Sequence, residues 1–124
     1  MSKKQREILW LLSVEEHNYP AAASYLSLTF TPEEVKTLLL KLRKAKITQF
    51  KAKDIFRASE LSLLGVSNSH VKKDLKKIKH QKPLSPLLLV RDTQNRRVII
   101  ADGYHRLCAI YKCHEDIWIH CKIV

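Results

Sequence analysis

The stretch Val98-Ile99-Ile100-Ala101-Asp102-Gly103-Tyr104-His105-Arg106-Leu107-Cys108-Ala109-Ile110-Tyr111 decides how this chain is read. Its opening residues are apolar and mostly β-branched, the composition of a strand buried in a sheet. After Asp102-Gly103 the spacing changes, and Leu107, Ile110 and Tyr111 fall on one face of a helix. A strand that turns directly into a helix leaves the first backbone N–H groups of that helix without partners and aimed outward. Those donors, with the positive end of the helix dipole, favour an anion. His105 and Arg106 lie in the first turn, and Gly103 has no Cβ to hold a ligand away from the backbone. The pattern predicts a phosphate cradle at Asp102-Gly103-Tyr104-His105-Arg106.

The flanking sequence supplies a sheet for this turn. Leu87-Leu88-Leu89-Val90 predicts a buried strand, Asp92-Thr93-Gln94-Asn95 a hairpin turn, and Arg97 to Ala101 the returning strand. Further on, Ile117, Ile119, Cys121 and Ile123 alternate with Trp118, His120 and Lys122, as in a half-buried final strand. Upstream of the Pro83-Leu84-Ser85-Pro86 connector, Ser67 or Asn68 can cap a helix with Val71, Leu75 and Ile78 facing inward. Lys72, Lys73, Lys76, Lys77 and Lys79 face mostly outward from it. Ile47 to Ala52 reads as a strand, and Lys53 to Arg57 as a turn into a short helical segment.

The first 46 residues read as helical. One helix is expected from about Lys4 to His17 with Ile8, Leu11 and Leu12 on an apolar stripe, and a short one from Pro20 to about Leu28. A third starts at Thr31-Pro32-Glu33-Glu34, where Thr31 caps, Pro32 takes the first helical position and Glu34 completes a capping box. Val35, Leu38, Leu39 and Leu42 then repeat at helical spacing. The division expected is a helical segment over 1–46 and one compact unit over 47–124. The class is α+β, a small mixed sheet with flanking helices preceded by helices.

At 124 residues the chain suits one domain, and its formal net charge of +11 points to anionic partners. Three cysteines without a Cys-x-x-Cys pair suit a reducing, cytoplasmic setting better than a disulfide scaffold. Cys108 and Cys121 read as core side chains, so Cys113, His114, His120 and Cys121 are not taken as a metal site. Lys3 to Leu12 has a superficial likeness to a secretory signal. The apolar run is short, however, Glu15-Glu16-His17 follow it, and no segment approaches membrane-spanning length. No membrane partner is expected.

From about Ser67 to Val124 the pattern resembles the ParB/sulfiredoxin superfamily, with a fainter start at the Ile47 strand. A helix over Val71 to Lys79 leads through a Pro-containing connector into the Leu87 strand. A polar turn and second strand then reach Ala101-Asp102-Gly103-Tyr104-His105-Arg106. ParB-type proteins commonly carry Gly-x-x-Arg here and sulfiredoxins Gly-Cys-His-Arg, which Gly103, His105 and Arg106 match. The resemblance implies that this turn binds nucleotide phosphates through its amides, His105 and Arg106. Tyr104 stands where sulfiredoxins have their catalytic Cys, so sulfinic acid reductase activity is not carried over. Partition proteins of the family continue into a helix-turn-helix domain and a dimerisation region; the sequence in hand runs to Val124, and centromere binding is not carried over either.

The leading expectation is thus a small ParB-like nucleotide-binding protein. It would hold ATP or CTP with Mg²⁺ at Gly103, Tyr104, His105 and Arg106, and hydrolyse it slowly, since phosphoryl transfer rests on positioned positive charge. Asp102 either caps the helix or helps hold Mg²⁺; His105 either donates to phosphate, acts as acid or base, or is structural. Lys53 and Arg57 can border the same cleft. A second expectation is binding of DNA or RNA, or a nuclease, through Lys72, Lys73, Lys76 and Lys77. A third is a small-molecule kinase with Asp54, Glu60 or Asp102 as base. The other histidines, His17, His70, His80, His114 and His120, show no joint spacing. The N-terminal helices can cover the cleft, bind a partner or form an oligomer.

Overall fold

The structure, a computed structural model, describes residues 7–65 and 68–124. It is α+β: α1 (Asn18–Leu26), α2 (Pro32–Lys44), β1 (Thr48–Lys51), α3 (Ala52–Ser59), α4 (Ser69–Lys79), β2 (Leu87–Asp92), β3 (Arg97–Asp102), α5 (Tyr104–Cys113) and β4 (Trp118–Ile123). The four strands form one sheet in the order β1-β4-β2-β3. β2 and β3 make an antiparallel hairpin, β2 and β4 are parallel across the α5 crossover, and β1 pairs antiparallel with β4.

Helices cover both faces, and the alternation of β2 shows why. Leu87 and Leu89 belong to a core with Ile55, Val71, Ile78, Leu107 and Ile110, on the side of α3, α4 and α5. Leu88 and Val90 point the other way, into a core with Tyr19, Ala22, Leu26 and Leu42 from α1 and α2. A strand buried on both faces has to be continuously apolar, which explains the Leu-Leu-Leu-Val run. The N-terminal helices therefore supply one of the two cores. The start of α5 lies at the end of β3, one residue on, with α4 packed beside α5.

Side-chain caps set two of the helix starts. The Thr31 capping box is present: Thr31 Oγ1 accepts from the Glu34 amide at 3.2 Å, and Glu34 accepts from the Thr31 amide at 2.9 Å. Asn68 caps α4, its Oδ1 accepting from the amides of His70 and Val71. The alternative cap, Ser67, lies outside the described residues.

The helix expected over Lys4 to His17 is a correction. Residues 1–6 lie outside the described residues, and 7–17 form no helix. This segment instead runs alongside the connector before β2: Trp10 makes a parallel bridge to Leu84, Leu11 donates to the Leu84 carbonyl at 2.9 Å, and the Leu84 amide donates to Leu9 at 2.8 Å. Pairing with an extended strand satisfies those backbone groups and leaves Leu12, assigned to an apolar stripe, 97% exposed. The helical start moves to Asn18, two residues before Pro20.

Candidate functional site

Gly103 is where β3 becomes α5. It stands at the helix N-cap with φ +109°, and a Cβ there would lie 2.6 Å from Leu87 Cγ and 2.8 Å from an Arg106 terminal nitrogen. Only glycine satisfies both the backbone angle and the space. Leu107 donates to the Gly103 carbonyl at 2.9 Å, so the amides of Tyr104, His105 and Arg106 precede the helical ladder. The capping role expected of Asp102 is therefore corrected. No side chain caps α5, and the Asp102 carboxylate instead accepts from Arg106, four residues on, at 3.2 Å. Arg106 is a mostly buried partner in that ion pair, and its Nε has no hydrogen-bond partner among the described residues.

A cleft of about 240 Å³ opens at this turn between α4, α5 and the connector before β2. Asp102, Gly103, His105 and Arg106 form one wall; His70, Lys73, Asp74 and Lys77 of α4 form the other; Ser85, Glu15 and His17 close the end. Ser85 Oγ accepts from the Glu15 amide at 3.0 Å, so the N-terminal segment is fixed at this edge. The His70 and His105 rings face one another with centroids 4.7 Å apart. Burial, with His70 nearby, holds the His105 imidazole below the ordinary histidine range, against the opposing pull of Asp74 and Asp102. Burial likewise pushes the Asp74 carboxyl up, although Arg106, Lys77, His105 and Lys73 all favour its ionised form.

On the other side of the same turn lies a second hollow, of about 410 Å³, sharing Asp102, Gly103 and His105 with the cleft. Its character differs. Ala21 and Tyr25 of α1, Leu61, Ile100, Ala101 and Tyr104 make it largely apolar, with two phenol rings. The Tyr104 hydroxyl donates to the Ser62 carbonyl, which ties the segment after α3 to the start of α5.

Several sequence-level assignments separate here. Gly103, His105, Arg106, Lys73 and Lys77 meet in the cleft, and Tyr104 lines the neighbouring hollow. Lys72 and Lys76 are exposed and do not line it. Lys53 and Arg57 are a correction: Lys53 is paired with Asp116 at 2.8 Å near the β1–β4 end, and neither residue lines the cleft. The α3 helix packs against β3 and α5, but Lys53 at its start is drawn to Asp116 just before β4, and Arg57 does not line the cleft. Asp54 and Glu60 also stand outside the cleft.

Asp74, His70, Glu15, His17 and Ser85 are residues that sequence reasoning passed over. For the α4 group a signal existed, since His70, Asp74 and Lys77 are spaced i, i+4, i+7 and so share a helix face. Nothing in the order of residues pairs that face with His105 before the α4–α5 packing is known. Among the described residues no group of three or more His, Cys, Asp or Glu side chains is placed to hold a metal ion, and no helix is long and apolar enough to cross a membrane. The chain matches no family model, no curated protein and no solved structure.

Proposed function

We propose that this protein binds a nucleoside triphosphate at the β3–α5 turn, in the manner of ParB-like domains. The observation that carries the reading is the pair of unlike hollows that meet at Gly103. One is polar, with Lys73, Lys77, His70, His105 and Arg106 beside the carboxylates of Glu15, Asp74 and Asp102, and the other is lined by Tyr25, Tyr104 and Leu61. A nucleotide has the same division, a polyanion at one end and a flat, stackable base at the other. Phosphates would lie in the first hollow against the leading amides of α5. The base would lie in the second, where stacking on a tyrosine contributes about 1–3 kcal/mol.

Mg²⁺ enters this reading on the phosphate oxygens, as it commonly does with nucleotides. The chain's own part is to position the phosphates among fixed cations, the arrangement that slow hydrolysis requires. Asp74 sits within that cationic wall as a half-buried carboxyl whose ionisation burial opposes.

The test is a thermal-shift series with ATP, CTP, GTP and UTP, each with Mg²⁺. A ligand confined to the folded state raises the melting temperature by mass action. A rise with at least one nucleotide, lost in Lys73→Glu, is the expected outcome. No rise with any of the four would overturn the proposal. Exposed Lys72 and Lys76 support a second reading, a polyanion such as DNA or RNA lying along α4. It calls for affinity that falls steeply with salt and weakens in Lys72→Glu and Lys76→Glu.

A further inference from the structure

We propose a second ligand site, on the α1–α2 side of the sheet, that takes a small soluble phosphomonoester with an apolar body. Lys122 is its centre. It occupies a β4 position opposite Leu88, facing the core that α1 and α2 complete, and only 9% of it is exposed. Its Nζ donates to the Tyr19 hydroxyl and to the Arg43 carbonyl, both at 3.0 Å. An ammonium carries three donors, so these two bonds leave one over.

Among the described residues no carboxylate lies within ion-pair distance of Lys122. The Arg43 carbonyl belongs to the last turn of α2, and Lys122 thereby meets the negative end of that helix dipole. Such a cap accounts for one hydrogen bond; it does not account for further cations gathered at the same place. Arg43 lies over the Tyr19 ring with its guanidinium carbon 4.2 Å from the centroid, and Lys122 Nζ is 5.7 Å from the same centroid. Glu16 answers Arg43 alone, at 2.5 Å.

These groups line an open hollow of about 570 Å³ together with Lys46, Val14 and Ile47. Three cations against one carboxylate leave an excess of two positive charges, which suits a phosphomonoester carrying about −1.5 to −2. Lys122 and Arg43 supply its donors, and Val14 and Ile47 offer an apolar wall to its organic part. The inference is independent of the nucleotide reading, because the two sites share no lining residue.

Amide NMR spectra of the full chain, titrated with phenyl phosphate and in parallel with inorganic phosphate, test it. Saturable shifts at the Ala45, Ile47 and Lys122 amides are expected, with phenyl phosphate the tighter ligand. Lys122→Met should weaken binding about tenfold, the effect of one lost charge-assisted contact. Exposed Lys46 gives a variant that leaves the core intact, and Lys46→Glu should weaken binding severalfold, so the test stands even if Lys122→Met does not fold. Shifts confined to Gly103–Arg106, absence of saturation, equal affinity for the two phosphates, or unchanged affinity in either folded variant would each overturn the site.

Discussion

Two hollows hold three fixed cations each, and their counter-charges are arranged in opposite ways. Glu15 and His17 border the cleft at α5, whereas Glu16 borders the pocket around Lys122. In the cleft the cations are countered from within: Arg106 is paired with Asp102, and Asp74 lies among Arg106, Lys77, His105 and Lys73. At Lys122 the buried charge has a hydroxyl and a carbonyl, and no carboxylate, as its hydrogen-bond partners among the described residues. A ligand in the cleft thus competes with resident carboxylates, while one at Lys122 would supply the missing counter-charge. The lesson is that a net charge of +11 says little about where an anion binds. What matters is how burial and counter-charges divide that excess among sites.

The sharpest way to separate the two is Gly103→Ala. The added Cβ would meet Leu87 and Arg106, at a φ that disfavours any L side chain. Strain and overpacking together predict a loss of about 2–4 kcal/mol in chemical denaturation. The same variant, where folded, should lose nucleotide binding and keep phenyl phosphate binding at Lys122; equal loss of both would merge the two regions into one.

A smaller effect is expected from Lys73→Glu, which reverses a charge on the phosphate side of the cleft. Calorimetry should give an affinity lower by about ten- to a hundredfold, on the scale of charged contacts of 1.5–3 kcal/mol. Asp74→Asn runs the other way. It removes a carboxyl from the wall of the cleft proposed to hold the phosphates, and nucleotide affinity should rise severalfold, about 1 kcal/mol or less. Unchanged affinity in Asp74→Asn would mean that the phosphates lie away from α4.

His105 offers a gentler perturbation. Its folded-state pKa lies below the ordinary 6.5, so as pH falls through the window below that value the unfolded chain takes up a proton more readily than the folded one. His105 accordingly lowers the stability of the free protein on acidification, and His120, also held down by burial, acts in the same direction. A neighbouring phosphate favours the imidazolium. Bound nucleotide should therefore raise the His105 midpoint in an NMR titration, and binding should tighten as pH falls from about 8 to 6. An unmoved midpoint would place the phosphates out of reach of His105.

Much of the α5 side was legible in the residues. The change from β-branched residues to helical spacing at Asp102-Gly103 located the turn, and the Thr31 box and Asn68 located two helix starts, because these are local devices. The N-terminal segment was not legible. Ile8, Leu11 and Leu12 fit a helical stripe, but the partner that draws 7–17 into an extended path is the Leu84 connector, more than seventy residues away. Asp102 misled for a related reason. An Asp before a helix reads as a cap, yet the side chain prefers Arg106 one turn on, inside a half-buried site where an ion pair is stronger. The apolar hollow was hidden too, since Tyr25 and Tyr104 come to line one hollow through the packing of α1 on β3.

In the proposed complex the two halves of one nucleotide fill the two hollows joined at Gly103. Calorimetric titration of the wild type and of Tyr25→Ala, each with the nucleotide that gives the largest thermal shift and with inorganic tripolyphosphate, tests it directly. The wild type should bind the nucleotide about tenfold more tightly than tripolyphosphate, a difference of about 1.4 kcal/mol from stacking. In Tyr25→Ala that advantage should shrink while tripolyphosphate affinity stays as it was. Equal affinities of the wild type for the two ligands, or an advantage untouched by Tyr25→Ala, would contradict it.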